Sequence, residues 1–284
     1  TSKSPVTNET LFQVASCSKT VTALAILTLV RDGRIDLDQP ANTYLERWQL
    51  PGPRGETATV LDLLSHTAGT TVHGFAGYGP DDDLPNLLDI LAGRAPANSA
   101  PVRTRHRLIR RFSYSGGGTT VLQALLEDVT GVGFASYVRA EVLEPIGADH
   151  ATFALEPEAA FAHGSYEDGQ ALPGGFKRHP ESAAAGLWAA ASDLVKVLAA
   201  ILGSVRGERN AIIPVGLAQR MVTPVGAQSA LGVFVHSKTT IFHDGRNFGF
   251  DSTMAADLKS GQIRAIVTNR NGALEGVSQA SLSD

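Results

Sequence analysis

The chain has 284 residues, of which 43% are hydrophobic and 18% are charged, a composition typical of a folded globular protein. Its 24 basic and 28 acidic residues give a net charge of −4, so no overall attraction to nucleic acid or to an anionic membrane is expected. The one cysteine, Cys17, excludes an intramolecular disulfide and a cysteine-rich metal site. The longest apolar stretch, residues 21–30, is about half of the roughly 20 residues that a membrane-spanning helix needs.

Helices are predicted mainly in the first two thirds of the chain, from apolar residues at helical spacing. Gly33 supplies a stop for the first helix, Thr59 and Asp62 form a weak capping box for the second, and Ser192 is the expected N-cap of the last. The predicted helices are residues 16–31, 59–66, 84–91, 117–129, 134–143 and 192–202.

The last third of the chain changes to β-branched and aromatic runs that are separated by Lys-Thr, Asp-Gly and Ser-Gly turns. Before it, residues 74–107 are rich in Gly, Pro, Asp and Arg and are predicted to form a surface loop around one short helix. A helical middle followed by an antiparallel meander predicts an α+β fold with a separate helical lobe. The predicted strands are residues 231–236, 239–242, 252–256 and 263–267.

Ser16-Cys17-Ser18-Lys19 is the first candidate for chemistry, and it is the one S-x-x-K in the chain. Residues three apart share a face of a helix, so the Lys19 amine is expected beside the Ser16 hydroxyl. A serine hydroxyl needs a base to become a nucleophile, and a lysine in apolar surroundings can supply one. The motif alone also fits an N-capping serine followed by a solvated lysine.

Several segments together resemble the penicillin-recognising serine hydrolases, in particular the branch of class C β-lactamases, DD-peptidases and β-lactamase-like esterases. These segments occur in the order and at the spacing of that family and cover nearly the whole chain. They are FQVASCSKT (12–20), RDGRIDLD (31–38), LLSHTAG (63–69), YSG (114–116), DVTG (128–131), PIG (145–147), AGLW (185–188) with SDL (192–194), and HDG (243–245) ahead of GF (249–250).

The resemblance implies a β-lactamase-like fold, with an antiparallel sheet flanked by helices and an all-helical lobe. Residues 1–284 would form one catalytic domain, in which a helical lobe of about residues 35–190 lies beside an α/β lobe of residues 1–34 and 191–284. Only fifteen residues precede Ser16, and the chain stops soon after the last strand. The family's first helix and two strands, and its closing helix, are therefore expected to be absent, which would leave an unpaired sheet edge.

The resemblance also implies the catalytic roles. Ser16 would be the nucleophile that forms an acyl-enzyme, and Lys19 would hold or accept its proton. Tyr114 matches the tyrosine of the family's Y-x-N element, which relays protons when a cation lies close to it. The alternative for Tyr114 is an aromatic packing residue, and His66 is expected to give structural support only.

A second group of residues is expected to line the cleft. His243 falls where the family carries K-T-G or H-x-G and is predicted to be catalytic, the alternative being a surface histidine at a strand end. Gly245 would let the substrate approach, and the backbone N–H of Arg246 would complete an oxyanion hole with that of the nucleophile. Ser115 and Gly116 are expected to contact substrate.

Two departures from the family pattern bear on function. Gly116 replaces the Asn that binds a substrate amide, and a His replaces the motif Lys. Both changes favour an esterase, transacylase or unusual peptidase over a β-lactamase. The predicted function is therefore hydrolysis of esters, or of β-lactam or D-amino-acid amide substrates, through an acyl-enzyme.

The alternative is a catalytically weak penicillin-binding, sensor or scaffold domain. No cofactor and no metal is expected, since none of the eight histidines forms a ligand motif such as H-E-x-x-H. The expected partner is a small-molecule ester, β-lactam or peptide, with no nucleic acid and no membrane span, and a homo-oligomer is compatible with the sequence. The family resemblance favours a periplasmic or secreted location over a cytoplasmic one.

Overall fold

The computed structural model describes residues 5–105 and 111–277. The expectations about residues 1–4, 280–284 and the end of the predicted loop, residues 106–107, lie outside this range. Its helices are α1 (Ser18–Arg31), α2 (Val60–Leu64), α3 (Leu87–Ala92), α4 (Gly116–Thr130), α5 (Phe134–Val138), α6 (Ser182–Ala185), α7 (Ala191–Arg206) and α8 (Val215–Met221). Its strands are β1 (Phe12–Gln13), β2 (Trp188–Ala189), β3 (Phe234–His236), β4 (Thr240–Asn247), β5 (Phe250–Asp257) and β6 (Ile263–Thr268).

The main sheet is an antiparallel meander in the order β3-β4-β5-β6, while β1 and β2 form a separate short ladder. The predicted strands are all present, but the predicted Asp244-Gly245 turn is wrong. Strand β4 continues through these two residues to Asn247, where the two-residue loop Phe248-Gly249 turns the chain into β5. Gly249 adopts the positive φ of +83° that this turn requires, so it takes the turn position expected of Gly245.

Helix α1 lies at the centre of the molecule, and all of its residues from Ser18 to Leu29 are buried. Its apolar side chains point in all directions, which is the pattern of a helix that is surrounded by protein. Its threonine hydroxyls bond to groups inside the protein: Thr22 donates to the Ala183 carbonyl at 2.9 Å, and Thr28 lies 3.0 Å from the Tyr137 hydroxyl. The predicted buried helix is thereby confirmed, and it holds the S-x-x-K segment firmly in the core.

The helix ends confirm one predicted capping interaction and contradict another. The capping box of α2 is present, with the Asp62 N–H donating to Thr59 Oγ1 at 3.1 Å, although the helix ends at Leu64. The prediction of Ser192 as the N-cap of α7 is wrong. The helix is capped at Ala190, whose N–H donates to Asp193 Oδ2 at 3.0 Å, and the Ser192 hydroxyl donates instead to the Asn8 carbonyl.

Several elements differ in extent from the sequence prediction or were not predicted. The helix expected over 134–143 is α-helical only to Val138 and continues as a π-helix over Arg139–Leu143. A single 3₁₀ turn, Ala15–Cys17, precedes α1, and another covers Ala41–Thr43. The elements without a sequence prediction are α6, α8, β1 and β2, which have two to seven residues each.

The predicted α+β class is confirmed by this combination of an antiparallel sheet and packed helices. In the described part of the chain, β6 lies at one end of the sheet and pairs with β5 alone. Strand β4 packs against the 3₁₀ turn Ala15–Cys17, and β5 packs there too. The junction of sheet, turn and helix α1 is therefore where the candidate residues meet.

Candidate active site

Ser16 lies in the 3₁₀ turn that leads into α1. Ala15 before it has a φ of +48°, a conformation that non-glycine residues rarely adopt, and both Ala15 and Cys17 are buried. The turn is held by the Ser18 hydroxyl, which donates to the Ala15 carbonyl at 2.5 Å and accepts the Leu187 N–H at 3.0 Å. The strained turn thus leaves the Ser16 side chain partly exposed between two buried neighbours.

Lys19 is brought to Ser16 as the sequence predicts. Its Nζ donates to Ser16 Oγ at 3.0 Å and to the Ala184 carbonyl at 2.6 Å, and the side chain is only 4% exposed. The alternative of a solvated lysine is therefore wrong. A hydrogen bond of this length between a hydroxyl and an amine is the contact that proton transfer requires.

Tyr114 stands directly before α4 and is the third member of this group. Its ring centroid lies 5.2 Å from Lys19 Nζ. The ring is enclosed by other aromatic rings, with centroid distances of 4.4 Å to His66, 5.0 Å to His73 and 6.2 Å to Phe234. The structure therefore brings Ser16, Lys19 and Tyr114 together, with the phenol ring fixed by stacking.

The ring of His66 packs against the ring of Tyr114, which fits the structural role expected for His66. Its Nδ1 accepts the Ser115 N–H at 3.3 Å, which fixes the residue next to the tyrosine. Burial, together with the charge of Lys19, lowers the pKa of His66 well below 6.5, so the ring is neutral at neutral pH. A neutral ring stacks on Tyr114 without adding a second positive charge to the site.

His243 lies on β4, 2% exposed, with its ring centroid 6.3 Å from that of Tyr114. The alternative of a surface histidine is therefore wrong. Its Nδ1 donates to the Asp244 carbonyl at 2.7 Å, since a carbonyl oxygen only accepts, and Nε2 has no hydrogen-bond partner in the described part of the chain. Burial and the charge of Lys19 lower the pKa of His243 from 6.5 to about 3, so it supplies a neutral acceptor where the family motif has a lysine cation.

Gly245 is the closest approach of β4 to the nucleophile. A β carbon at this position would lie 2.2 Å from the Val14 carbonyl oxygen, 2.5 Å from Ser252 Oγ and 3.0 Å from the Ser16 nitrogen. Only glycine fits such a contact without moving the strand. The glycine therefore sets the distance between the edge of the sheet and the Ser16 turn.

The backbone N–H of Arg246 points away from β5. Asn247 and Phe250 close a two-residue hairpin, so the hydrogen-bonded pairs are Asn247, Gly245 and every second residue before them. The Arg246 N–H consequently faces the other edge of β4, where β3 pairs only as far as Phe242. This orientation agrees with its predicted place in an oxyanion hole.

Two of the predicted substrate contacts have a different environment. The Ser115 side chain is fully buried, donates to the Thr71 carbonyl at 2.6 Å and accepts the Gly118 N–H at 3.0 Å as the N-cap of α4. Its hydroxyl is therefore used by the fold. A β carbon on Gly116 would lie 3.2 Å from Phe75 Cε2 and 3.2 Å from the His73 carbonyl oxygen. The loop 73–75 thus fills the space that the family's asparagine would occupy.

Other neighbours of the site had no signal in the sequence. The Ala184 carbonyl that binds Lys19 belongs to α6, and the Asn247 amide ties β4 to Gln13 Oε1 at 3.1 Å and to the Ala185 carbonyl at 3.2 Å. His73 and Phe75 come from a loop whose composition indicated only a surface position. Cys17 is adjacent to Ser16, but burial raises the pKa of its thiol to about 12, so it is no competing nucleophile.

In residues 5–105 and 111–277, no group of three or more His, Cys, Asp or Glu side chains is arranged to hold a metal ion. None of the helices in the same ranges has the length and apolar character to cross a bilayer.

Comparison with known proteins identifies the family. A family model described as Beta-lactamase matches residues 1–282. Esterase EstB of Burkholderia gladioli is 32% identical over 185 residues, which cover 60% of this chain and 45% of that protein. The octameric penicillin-binding protein homologue from Pyrococcus abyssi is 25% identical with a TM-score of 0.74, over 94% of this chain and 64% of that one.

A D-stereospecific amidohydrolase from Streptomyces sp. shares the fold, with a TM-score of 0.74 and 21% identity over 92% of this chain and 83% of that one. The chain spans less than half the length of the curated relatives it matches, between 33% and 45% for three of them. The resemblance to penicillin-recognising serine hydrolases and the β-lactamase-like fold are both confirmed. The chain belongs to the beta-lactamase family, whose members here include hydrolases such as an esterase.

Proposed function

We propose that the chain is a serine hydrolase that works through an acyl-enzyme on Ser16, with Lys19 and Tyr114 as the proton-transfer pair. The observation that supports this most is the 3.0 Å hydrogen bond from Lys19 Nζ to Ser16 Oγ, with the Lys19 side chain only 4% exposed. A serine and a lysine in direct contact, with a phenol ring 5.2 Å from the amine, can pass a proton among themselves.

The reaction has two halves. Ser16 Oγ attacks the substrate carbonyl carbon while its proton passes to the Lys19–Tyr114 pair, and a tetrahedral adduct forms. The adduct collapses when the bond to the leaving group breaks, and Tyr114 delivers a proton to the departing oxygen or nitrogen. A water then attacks the acyl carbon, gives up a proton through the same pair, and releases the acid and the Ser16 hydroxyl.

The negative charge on the tetrahedral adduct needs hydrogen-bond donors. We assign this role to the backbone N–H groups of Ser16 and Arg246, because the residue before Arg246, Gly245, packs closely against the Ser16 nitrogen. A single oxyanion-hole donor contributes about 10²–10³ in kcat. His243 would support this space from β4 as a neutral, buried ring.

Esters are the substrates we favour, ahead of β-lactams and D-amino-acid amides. The position of the amide-binding asparagine is a glycine here, and the ring of Phe75 closes the space next to it. An amide substrate would lose a hydrogen-bond partner at this point, whereas an ester does not present the N–H group. The similarity to an esterase supports the same order.

We extend the same proposal to the domain organisation and the binding partners of the protein. We propose one catalytic domain with the two lobes described in the sequence analysis, a small-molecule substrate, and no part for nucleic acid. The second candidate, a catalytically weak penicillin-binding or sensor/scaffold domain, would be acylated on Ser16 slowly or not at all and would not turn the ester over.

The test compares p-nitrophenyl butyrate with the β-lactam nitrocefin. We expect steady turnover of the ester, faster than that of nitrocefin, and its loss in Ser16→Ala. Ser192→Ala is the matched control. Ser192 lies in the first turn of α7, and its hydroxyl donates to the Asn8 carbonyl. Nitrocefin turnover equal to or above that of the ester would overturn the preference for esters, and one-time acylation without turnover would identify the sensor candidate.

A further inference from the structure

A cleft with a volume of about 1050 Å³ lies beside the proposed oxyanion strand. It is bordered on one side by Phe75, whose ring also lies against Gly116, and on the other by Arg246, which follows Gly245. The cleft therefore adjoins the place where a substrate carbonyl would be held. Its remaining described lining residues are Gly74, Ala76, Tyr166, Glu167, Asp168, Asn247, Phe248 and Asn271.

Three of the ten described lining residues of the cleft are aromatic: Phe75, Tyr166 and Phe248. Tyr166 and Phe248 contact each other edge-on with ring centroids 6.4 Å apart, and Phe248 is 47% exposed. Phe75 faces the same space from the loop 73–75. An exposed phenylalanine in a concave surface favours an apolar chain or ring as the bound group, because contact removes apolar surface from water.

The guanidinium of Arg246 is the one cation among the described lining residues, and it is already paired. Its Nε and Nη2 donate to the two oxygens of Asp251 at 2.9 and 3.1 Å, and Asp251 is only 3% exposed. The hydrogen bond to Asp251, with the charges of Glu275 and Glu167 adding to it, raises the pKa of Arg246. A substrate carboxylate would have to compete with this two-point contact.

The other charges at the cleft are negative. Glu167 and Asp168 are exposed at a turn that borders the cleft, and the Asp168 carboxylate accepts the Gln170 N–H at 2.9 Å. Lys19 is buried and bonded to Ser16 and Ala184, and His243 is neutral. Arg270 lies next to this turn and donates through Nε and Nη2 to the Glu167 backbone carbonyl at 3.2 and 2.6 Å. Its guanidinium bonds to the backbone there, so the two carboxylates themselves still face the cleft as negative groups.

Two further arginines lie near the loop. Arg103 and Arg105 line a separate cavity of about 440 Å³, which shares the segment 74–76 as its wall with the cleft. Their charges therefore belong to the far side of that segment. The charges at the cleft are then the carboxylates of Glu167 and Asp168, the Arg246–Asp251 pair with Glu275 near it, and Arg270 beside the Glu167 backbone, which together leave an excess of negative charge.

We propose, building on the serine hydrolase function above, that this cleft binds an apolar acyl chain that is uncharged or positively charged, and that it rejects chains ending in a carboxylate. Aromatic walls bind the chain, and the two unpaired carboxylates with the neutralised Arg246 select its charge. For one unit charge about 8 Å from one carboxylate, with an effective dielectric constant of about 40, the preference is about fivefold.

The test uses three p-nitrophenyl esters of the same length: 6-(trimethylammonio)hexanoate, the isosteric uncharged 7,7-dimethyloctanoate, and the monoester of pimelic acid, which ends in a carboxylate. We expect kcat/KM to fall in that order, with a ratio of cationic to anionic ester of about tenfold or more at low salt. Added salt should reduce the ratio, because these carboxylates are exposed.

Two variants test the residues. Glu167→Gln combined with Asp168→Asn should lower the ratio severalfold, whereas Glu158→Gln, an exposed carboxylate outside the cleft, should leave it unchanged. Asp251→Asn should release Arg246 and raise the activity on the anionic ester relative to the uncharged one. Asp251 also accepts hydrogen bonds from Asn271 and Gly272, so the double variant decides the case if this one does not fold.

The outcomes separate the two proposals. Equal kcat/KM for the three esters, lost together in Ser16→Ala, would overturn the charge selection and leave the serine hydrolase function standing. A ratio unchanged in the Glu167→Gln, Asp168→Asn variant would likewise overturn it. Turnover of none of the esters in a Ser16-dependent way would overturn the hydrolase function, and the selection with it.

Discussion

Replacing Gly245 with alanine tests whether the approach of β4 to the nucleophile turn sets the activity. The added methyl group would lie 2.2 Å from the Val14 carbonyl oxygen and 3.0 Å from the Ser16 nitrogen. Ordinary contacts of this kind exceed about 3.4 Å, so the strand and the turn must separate by about 1 Å. That movement displaces the Arg246 N–H from the Ser16 N–H.

The expected loss follows from the oxyanion hole. Removal of one donor costs about 10²–10³ in kcat, and we expect Gly245→Ala to lower kcat for p-nitrophenyl butyrate by about that factor. Overpacking should also lower the free energy of unfolding by about 1–3 kcal/mol. Steady-state kinetics and chemical denaturation measure the two effects separately.

Gly216→Ala is the matched control for this experiment. Gly216 lies in α8 with no atom within 4 Å of its β-carbon position, so alanine there should keep the activity and stabilise the helix slightly. If Gly245→Ala kept full kcat and wild-type stability, the sheet edge would not be in contact with the nucleophile turn in the working protein. The reasoning about the oxyanion hole would then be wrong.

Three further variants address the base, the cap and a buried carboxyl. Lys19→Met should lower kcat by about 10²–10⁴ in ester assays, and retained activity would exclude Lys19 as the base. Ser115→Ala removes the N-cap of α4 and should lower the unfolding free energy by about 1–2 kcal/mol in urea titrations; unchanged stability would contradict the assigned cap. Burial raises the pKa of Glu181 from 4.5 to about 7. The stability contributed by its protonated form is therefore present below about pH 4.5 and is lost as the pH rises through about 7, by about 3 kcal/mol in all. Glu181→Gln should flatten this loss in melting curves between pH 5 and 8, and an unchanged slope would contradict it.

The parts of the fold that the sequence predicts are those with strong local signals. Helix α1 is apolar on all sides, and the turn Lys238-Thr239 separates two β-branched strands, so both features were readable without tertiary information. The segments α6 and β2 have four and two residues, and their conformation depends on packing, of α6 against α1 and α4 and of β2 against β1 and α7, rather than on their own propensity. Such segments are beyond local sequence reasoning.

The candidate site shows the same division. The pairing of Ser16 with Lys19 follows from helical spacing, and the family pattern points to Tyr114 and His243. The Ala184 carbonyl that holds Lys19 is a backbone group 165 residues away, which no side-chain pattern reveals. Ser115 was expected to contact substrate, but its hydroxyl caps α4. A serine that follows a motif tyrosine can take either role, and the sequence alone does not distinguish them.

Charge states likewise require the three-dimensional environment. His243 looks like a substitute cation for the motif lysine in the sequence, but burial lowers its pKa to about 3. The Arg246 guanidinium is bound at two points by Asp251, five residues later across the hairpin, a pairing that needs the strand register to be known. Both changes remove positive charge from the cleft, and neither can be read from residue type.

Covalent labelling of Ser16 is the most direct test of the proposed acyl-enzyme. The protein is treated with a p-nitrophenyl phosphonate ester, and intact and peptide mass spectrometry locate the adduct. We expect one adduct per chain on Ser16 and slower labelling in Lys19→Met, because the amine no longer accepts the hydroxyl proton. An unlabelled wild-type protein, or an adduct of the same yield in Ser16→Ala, would contradict Ser16 as the nucleophile.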